Sequence, residues 1–383
     1  MTDAALHRRP TPEPEALLRL IAAGGPAAPR RHLLDLHGDP GQALRVGARG
    51  WREAGLDARQ IASLQAPDAD LIAHASRWLD QPAHALVGLH DPDYPPLLRS
   101  IASPPLALCM AGDPTLAWRP MVAVVGSRAA TAAGCEHAFE FATQLARAGF
   151  VVASGLASGI DAAAHRAALV VGEATTVAVL GCGPDLAYPS AHRSLLAEVG
   201  ASGCVLSEHL PGTRARREFF PSRNRIIAGL SLGTLVVEAG ERSGALITAR
   251  QAADAGREVF AVPGSIRNPL ARGCHRLIRD GATLVETAQE VIELLAPMAA
   301  DQAAGLRARL NAPIPAGSDP PVPRVADQDR DYNRLWLALG HDPSSMDALV
   351  ERSGLTAAEL SSMLLVMELE GRVAVEHGRY SRK

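Results

Sequence analysis

The chain has 383 residues, 47% hydrophobic and 21% charged, which is enough for one large core with smaller modules beside it. Its formal net charge is −3, so no global field draws in a polyanion, and any nucleic-acid contact has to come from a local patch. The five cysteines, Cys109, Cys135, Cys182, Cys204 and Cys274, are scattered and form no C-x-x-C pair, which argues against a disulfide framework and against a spaced zinc-ligand set.

The stretch from Met1 to Pro14 is polar and lacks the apolar core of a leader, and no run reaches membrane-spanning length without charges. A cytoplasmic protein with no membrane partner and no cofactor is expected. From about Glu15 to Leu79, short apolar faces such as Leu17, Leu18, Leu20 and Ile21 alternate with Gly24-Gly25-Pro26, Gly38 and Gly55. This pattern predicts a small helical domain over 1–82, of the helix-hairpin-helix or SAM-like kind. Such a fold can bind DNA backbone, but its acidic and basic residues balance here, and a packing module fits equally well.

The segment 83–297 alternates strand and helix. Strands are predicted at Met121–Val125, Phe150–Ala153, Thr176–Leu180, Cys204–Leu206, Thr234–Val237 and Glu258–Val262. Helices are predicted at Ala133–Ala148, Asp161–Val171 and Leu246–Ala255. Near-continuous apolar strands separated by helices imply an α/β fold with a mainly parallel sheet covered on both faces, with ligands at the C-terminal strand ends.

Those strand ends carry anion-friendly turns. The first is Gly126-Ser127-Arg128 with Thr131 opening the next helix, read either as a phosphate grip or as a tight strand-to-helix turn. Its single glycine falls short of G-x-G-x-x-G, so a dinucleotide oxidoreductase is poorly supported. The second runs from Ser154 and Gly155 through Ser158 and Gly159 to Asp161, with His165 one turn on. Asp161 and His165 could be an acid/base pair; the favoured reading is a carboxylate at a helix N-terminus, bonded to a histidine that orders the turn. Cys182 follows the third strand without a basic helper. Glu238 ends the strand from Thr234 and could contact a ribose or base edge, or order the Ser243-Gly244 nest that leads to Thr248.

Between two of these turns lie Arg214, Arg216, Arg217, Phe219, Phe220, Arg223, Asn224 and Arg225, followed at once by an apolar run that reads as a buried helix. Arginine forks grip phosphate and an aromatic face stacks an unpaired base, so the layout fits a single strand better than a duplex, whose base faces are hidden. The alternative for this loop is a solvated arginine face with Phe220 tucked into the core.

A linker is expected over 298–327, starting just after Pro297, rich in Ala and in prolines such as Pro313, Pro320 and Pro323. Over 328–383, helices at Tyr332–Leu339, Met346–Arg352 and Thr356–Glu370 and strands at Arg372–Val375 and Arg379–Tyr380 read as a winged helix. Its presumed recognition helix contains no Lys or Arg but carries Glu359, Glu368 and Glu370, so a protein contact or self-association suits it better than major-groove docking.

His90-Asp91-Pro92-Asp93-Tyr94-Pro95-Pro96-Leu97-Leu98, Gly126-Ser127-Arg128, Ser154-Gly155 through Asp161 with His165, Phe220-Pro221 with Arg223-Asn224-Arg225, Glu238, Ser243-Gly244, Leu246-Ile247-Thr248-Ala249-Arg250 and Val262-Pro263-Gly264 together resemble the DNA-processing protein A (DprA/Smf) family. The resemblance covers nearly the whole chain. It implies an extended Rossmann-like domain that binds single-stranded DNA, a homodimer that helps load the RecA recombinase during natural transformation, and no catalytic turnover. It gives phosphate contacts to Gly126, Ser127, Arg128, Arg223, Asn224 and Arg225, and a base contact to Phe220. Ala245 stands where the family often has serine. Lys383 is the only lysine, so arginines such as Arg214, Arg216 or Arg217 replace the family's phosphate-binding lysines. The competing reading is a nucleotide or sugar-phosphate hydrolase resembling phosphoribohydrolases, with Glu238 as its polar catalyst and the Ser243-Gly244 nest for phosphate.

Overall fold

The computed structural model describes residues 14–309 and, beyond them, 335, 338–339, 344–355, 360, 364, 373–376 and 379–382. The chain divides into two compact units, Met1–Ile314 and Pro315–Lys383.

The larger unit is built on a nine-stranded sheet: β1 (His84–Gly88), β2 (Ala107–Gly112), β3 (Met121–Val125), β4 (Val151–Ser154), β5 (Thr176–Leu180), β6 (Cys204–Ser207), β7 (Gly233–Val236), β8 (Glu258–Ala261) and β9 (Thr283–Leu284), in the order β1-β2-β6-β5-β4-β3-β7-β8-β9. β1 and β2, absent from the sequence prediction, add antiparallel to the edge at β6, while β6 through β9 pair in parallel. Strands β3 to β7 are buried along their whole length, which is why they read as unbroken apolar runs.

Alternate side chains serve opposite faces. Ala123, Val125, Ala153, Val177 and Val179 pack against Ile226, Ile227 and Leu230 of the helix Phe219–Leu230. Val122, Val124, Val152 and Leu235 pack against Phe141 and Leu145 of the helix Ala132–Arg147 and Ala164 and Ala168 of the helix Ile160–Val171. Each fully buried Val, Leu, Ile or Phe contributes about 1.5–3 kcal/mol. From central β3 the chain runs through β4, β5 and β6 on one side and then returns to β7 on the other. The C-terminal ends of β3 and β7 therefore flank the point where the winding reverses, the crevice where such sheets take their ligands.

Among the described residues six short helices, from Pro14–Ala22 to Ala69–Leu79, precede the sheet. Asp39, Asp57 and Asp68 cap three of them, with Gln60 completing a capping box. Arg30 is buried and ends the first helix by donating to the carbonyls of Leu20, Ile21 and Gly25 at 2.9, 3.1 and 2.9 Å. Leu17, Leu33, Trp51 and Leu64 share a core with Leu106 and Ala107, and Leu18, Ile72 and Trp78 pack on Cys109, so these helices are seated on β2.

Two predicted boundaries change. The Arg-Asn-Arg run does not end a loop: the helix begins at Phe219, so Phe220, Arg223, Asn224 and Arg225 occupy its first two turns. The linker does not begin after Pro297, because the helix Ala288–Arg309 passes through that proline. Pro297 removes one helical hydrogen bond, while Leu295 is packed in the core and Gln302 donates to the Trp118 carbonyl at 3.0 Å, holding the helix on both sides of the break. The rest of the linker lies outside the described residues.

In the smaller unit, the helix Met346–Ser353 is capped by Ser345 and stopped by Gly354. The strands Val373–Glu376 and Arg379–Arg382 form an antiparallel hairpin that also pairs with Ser344–Ser345. Leu335, Leu349, Leu360, Leu364 and Val373 make its core. Most of the predicted helices Tyr332–Leu339 and Thr356–Glu370 lies outside the described residues.

Candidate nucleic-acid interface

The turns after β3 and β7 are locked together. The Ser127 amide donates to the Glu238 carbonyl at 2.6 Å, extending the β3–β7 pairing beyond the strands. The Glu238 carboxylate accepts from the Thr131 amide at 2.9 Å, the Thr131 hydroxyl at 2.8 Å and the Asn268 amide group at 3.0 Å. Thr131 in turn caps the helix Ala132–Arg147 through Gly134. Glu238 is thus a clasp between three loops rather than a group aimed at a ligand or at the Ser243-Gly244 nest, and Thr131, with both donors engaged, is not a phosphate contact.

The second nest is already filled. Its Gly155 and Ala157 amides donate to Asp161 Oδ2 at 3.1 and 3.4 Å, so the anion it holds is the protein's own carboxylate. Burial raises the Asp161 carboxyl above the ordinary range, while Arg223 and these two amides pull the other way. Gly159 has φ +75° and its α-carbon lies against the Ser127 carbonyl, a contact with no room for a side chain. The nest therefore packs on the first turn, and neither Gly155, Ser158 nor Gly159 lines the cleft described below. His165 does not join Asp161: its Nδ1 pairs with Thr176 Oγ1 at 2.8 Å, and burial pushes its pKa down to about 3. The expected carboxylate–histidine bond is absent, and Asp161 and His165 do not form an acid/base pair.

The arginines of the Phe220 segment separate by position. Arg223 is 3% exposed and donates from Nη1 to the carbonyls of Gly155, at 2.7 Å, and Val179. Burial pulls its pKa down to about 10, opposed by Asp161. Gly155 is required because a Cβ there would meet this guanidinium. Arg225 grips Glu208 through both nitrogens, at 3.0 and 2.7 Å. These two arginines, expected to hold phosphate, instead hold the fold. Phe219 stacks on His209, with centroids 4.0 Å apart, beneath the Arg216 guanidinium, and does not line the cleft. Arg214 and Arg216 are exposed but lie outside the cleft lining.

A cleft of about 820 Å³ opens over the ends of β3 and β7. Gly126, Ser127 and Arg128 line it from the β3 turn, Arg217 from just before the Phe219–Leu230 helix, and Phe220, Asn224 and the small exposed part of Arg223 from the start of that helix. Arg242, Ser243, Gly244, Ile247 and Thr248 line it from the β7 turn and the helix Gly244–Asp254, and Tyr188 from the β5–β6 connection. Arg128, Arg217 and Arg242 are exposed, and Asp161 is the only acidic residue among the described lining residues. Ser243 caps its helix by accepting from the Ala245 amide at 3.3 Å. Asn224 reaches the Gly244 carbonyl at 3.3 Å and joins the two helices that frame the cleft. Phe220 is half-buried, with the Arg128 guanidinium carbon 5.2 Å and the Tyr188 ring 5.0 Å from its centroid. It is neither lost in the core nor bare.

Arg242, Tyr188 and Ile247 were missed as cleft residues. The only sequence signal was an arginine immediately before a helix-capping Ser-Gly pair and an aromatic just past a strand end. Cys182 is no nucleophile: burial pushes its thiol up to about 11 and it donates to the Leu186 carbonyl. Among the described residues no group of His, Cys, Asp and Glu is arranged to hold a metal, and no helix is long and apolar enough to cross a membrane.

Residues 85–296 match the family model described as DNA recombination-mediator protein A, and residues 319–379 match that of the DprA winged helix domain. Protein Smf of Escherichia coli is 38% identical over 332 residues, 86% of each chain. DNA processing protein DprA of Streptococcus pneumoniae is 47% identical over 202 residues, 53% of this chain and 71% of that protein. The crystal structure of the S. pneumoniae protein covers 74% of this chain and 98% of its own, with a TM-score of 0.65 at 36% identity. The structure reporting the single-stranded DNA binding mode of DNA processing protein A from Helicobacter pylori covers 55% of this chain and 95% of its own, with a TM-score of 0.51 at 27% identity. With its Rossmann-like sheet and, later in the sequence, a winged-helix domain, the chain belongs to the DNA recombination-mediator protein A (DprA/Smf) family.

Proposed function

We propose that the chain binds single-stranded DNA along the cleft over β3 and β7, and that as a homodimer it shields incoming strands and helps load the RecA recombinase onto them, without catalytic turnover. The observation that carries the binding reading is the convergence of Arg128, Arg217 and Arg242, all exposed, with Phe220 and Tyr188 in one cleft. Three permanent cations suit successive phosphates, and aromatic rings suit unpaired bases. The single-strand binding described for the H. pylori relative supports the same ligand. The net charge of −3 confines the attraction to this patch. Electrophoretic titration with single- and double-stranded oligonucleotides of several lengths tests it: single strands should bind tighter, with affinity falling steeply with salt.

The hydrolase reading fares worse. It needs Glu238 as a free polar catalyst, and that carboxylate accepts three hydrogen bonds from Thr131 and Asn268. Turnover of nucleoside monophosphates by the purified protein would restore it.

A further inference from the structure

Phe220 is the aromatic residue that the arginine-rich motif offers to a base, yet its ring is already surrounded. Beside the Arg128 and Tyr188 contacts, the Gly181 backbone lies so close that a Cβ there would sit 3.1 Å from Phe220 Cδ1. A base laid on Phe220 has to share or displace one of these neighbours. Tyr188 is in the opposite position. It is 48% exposed, lines the same cleft, and is inclined at 40° to Phe220, which supports it from one side. A second apolar surface, Ile247 at 41% exposed, lines the cleft from the helix Gly244–Asp254. Half-exposed rings that border a cationic groove are the usual platforms for unpaired bases, because every base has a π face to lay on them.

We propose that Tyr188 is a base-stacking platform of this cleft: an unpaired nucleobase rests on the open part of its ring, Phe220 props that ring from behind, and the adjoining phosphates fall to Arg128 and Arg217. The proposal rests on the reading of the cleft as a single-stranded DNA site. It adds a contact that depends on the presence of a base but is indifferent to which base it is. It also recasts Phe220 as a positioning residue as much as a direct contact.

The test uses the full chain, a labelled oligothymidylate and a strand of the same length in which the bases are replaced by abasic residues. Tyr188→Ala is expected to weaken binding of the thymidylate strand by about five- to a hundredfold, the range that one stacked base is worth. Tyr188→Leu, which keeps an apolar side chain without a π face, should do the same, and Tyr188→Phe should stay within about twofold of the parent. The salt slope should be the same in all four proteins, and the abasic strand should not distinguish them. Thymidylate binding by Tyr188→Ala at the parental affinity overturns the proposal, as does an equal loss on both strands, which would mean that the ring serves the fold. If the parent itself fails to bind the thymidylate strand, the functional reading falls, and this inference with it.

Discussion

Arg223 donates to the carbonyl oxygen of Gly155 at 2.7 Å, and this bond makes a strut of an arginine that the sequence motif assigns to phosphate. The same nitrogen also reaches the Val179 carbonyl. The C-terminal ends of β4 and β5 are thereby tied to the helix Phe219–Leu230, whose first turn carries Phe220 into the cleft. On the proposed reading the phosphates fall instead to Arg128, Arg217 and Arg242, which are exposed in the cleft.

Replacing Arg223 by Ala leaves two buried carbonyls without a donor and removes the cation that compensates buried Asp161. A loss of about 3–5 kcal/mol of stability is expected, read as a lower midpoint in urea unfolding. Among molecules that remain folded, the salt dependence of DNA binding should match the parent. A reduced salt slope with unchanged stability would return Arg223 to the phosphate-binding set.

Arg128→Ala, Arg217→Ala and Arg242→Ala should each weaken single-strand binding and lower the slope of log K against log salt by about 0.7, the value for one phosphate of a single strand. Arg225→Ala should leave that slope unchanged, because Glu208 already holds its guanidinium at 2.7 Å. Titrations at a series of salt concentrations separate the two classes.

Glu238→Gln should cost about 1–3 kcal/mol, since the Thr131 and Asn268 donors lose a charged acceptor. Thermal melting measures this, and single-strand affinity at low temperature should change little. A nucleoside-monophosphate hydrolase activity that disappears in this variant would contradict the clasp role.

Stability should fall on mild acidification for a reason located at His165. Its folded pKa, near 3, lies below the ordinary 6.5, so between those values the unfolded chain takes up a proton that the native state refuses. The contribution is complete above about pH 6.5 and drains by up to about 1.4 kcal/mol per pH unit as pH falls toward 3. Asp161, raised by burial, acts in the opposite sense, losing stability as pH rises from the ordinary carboxylate range. Comparing the parent with His165→Asn between pH 4 and 7 isolates the histidine, because Asp161 is common to both; the variant should show the flatter profile.

The strands and nests were legible because their causes are local. Val122 to Val125 read as a doubly covered strand for the same reason that they are one, and Gly126-Ser127-Arg128 follows as a turn that lines the cleft. The fate of each arginine was not legible. Arg223 is buried because acceptors 44 and 68 residues away, Val179 and Gly155, converge on it, and nothing within its own segment distinguishes it from Arg217. Likewise Ser158 and Gly159 have the composition of an open anion site, but Asp161 fills it from the same turn. Tyr188, in the β5–β6 connection, reaches the cleft because β5 lies beside β4 and β4 beside β3, a neighbour relation that periodicity does not carry. Pro297 marks the end of a helix in most sequences, and packing by Leu295 overrides it here.

On the proposed reading, exposed guanidiniums over the β3 and β7 ends hold a single strand. The most direct test is a competition titration of the full chain with single-stranded and duplex oligonucleotides of equal length, at two salt concentrations, for the parent and an Arg128→Ala/Arg242→Ala double variant. Preference for the single strand, steep weakening with salt, and a slope in the double variant smaller by about 1.4, two phosphates' worth, are expected. Equal affinity for single strand and duplex, or a double variant with the parental slope, would contradict it.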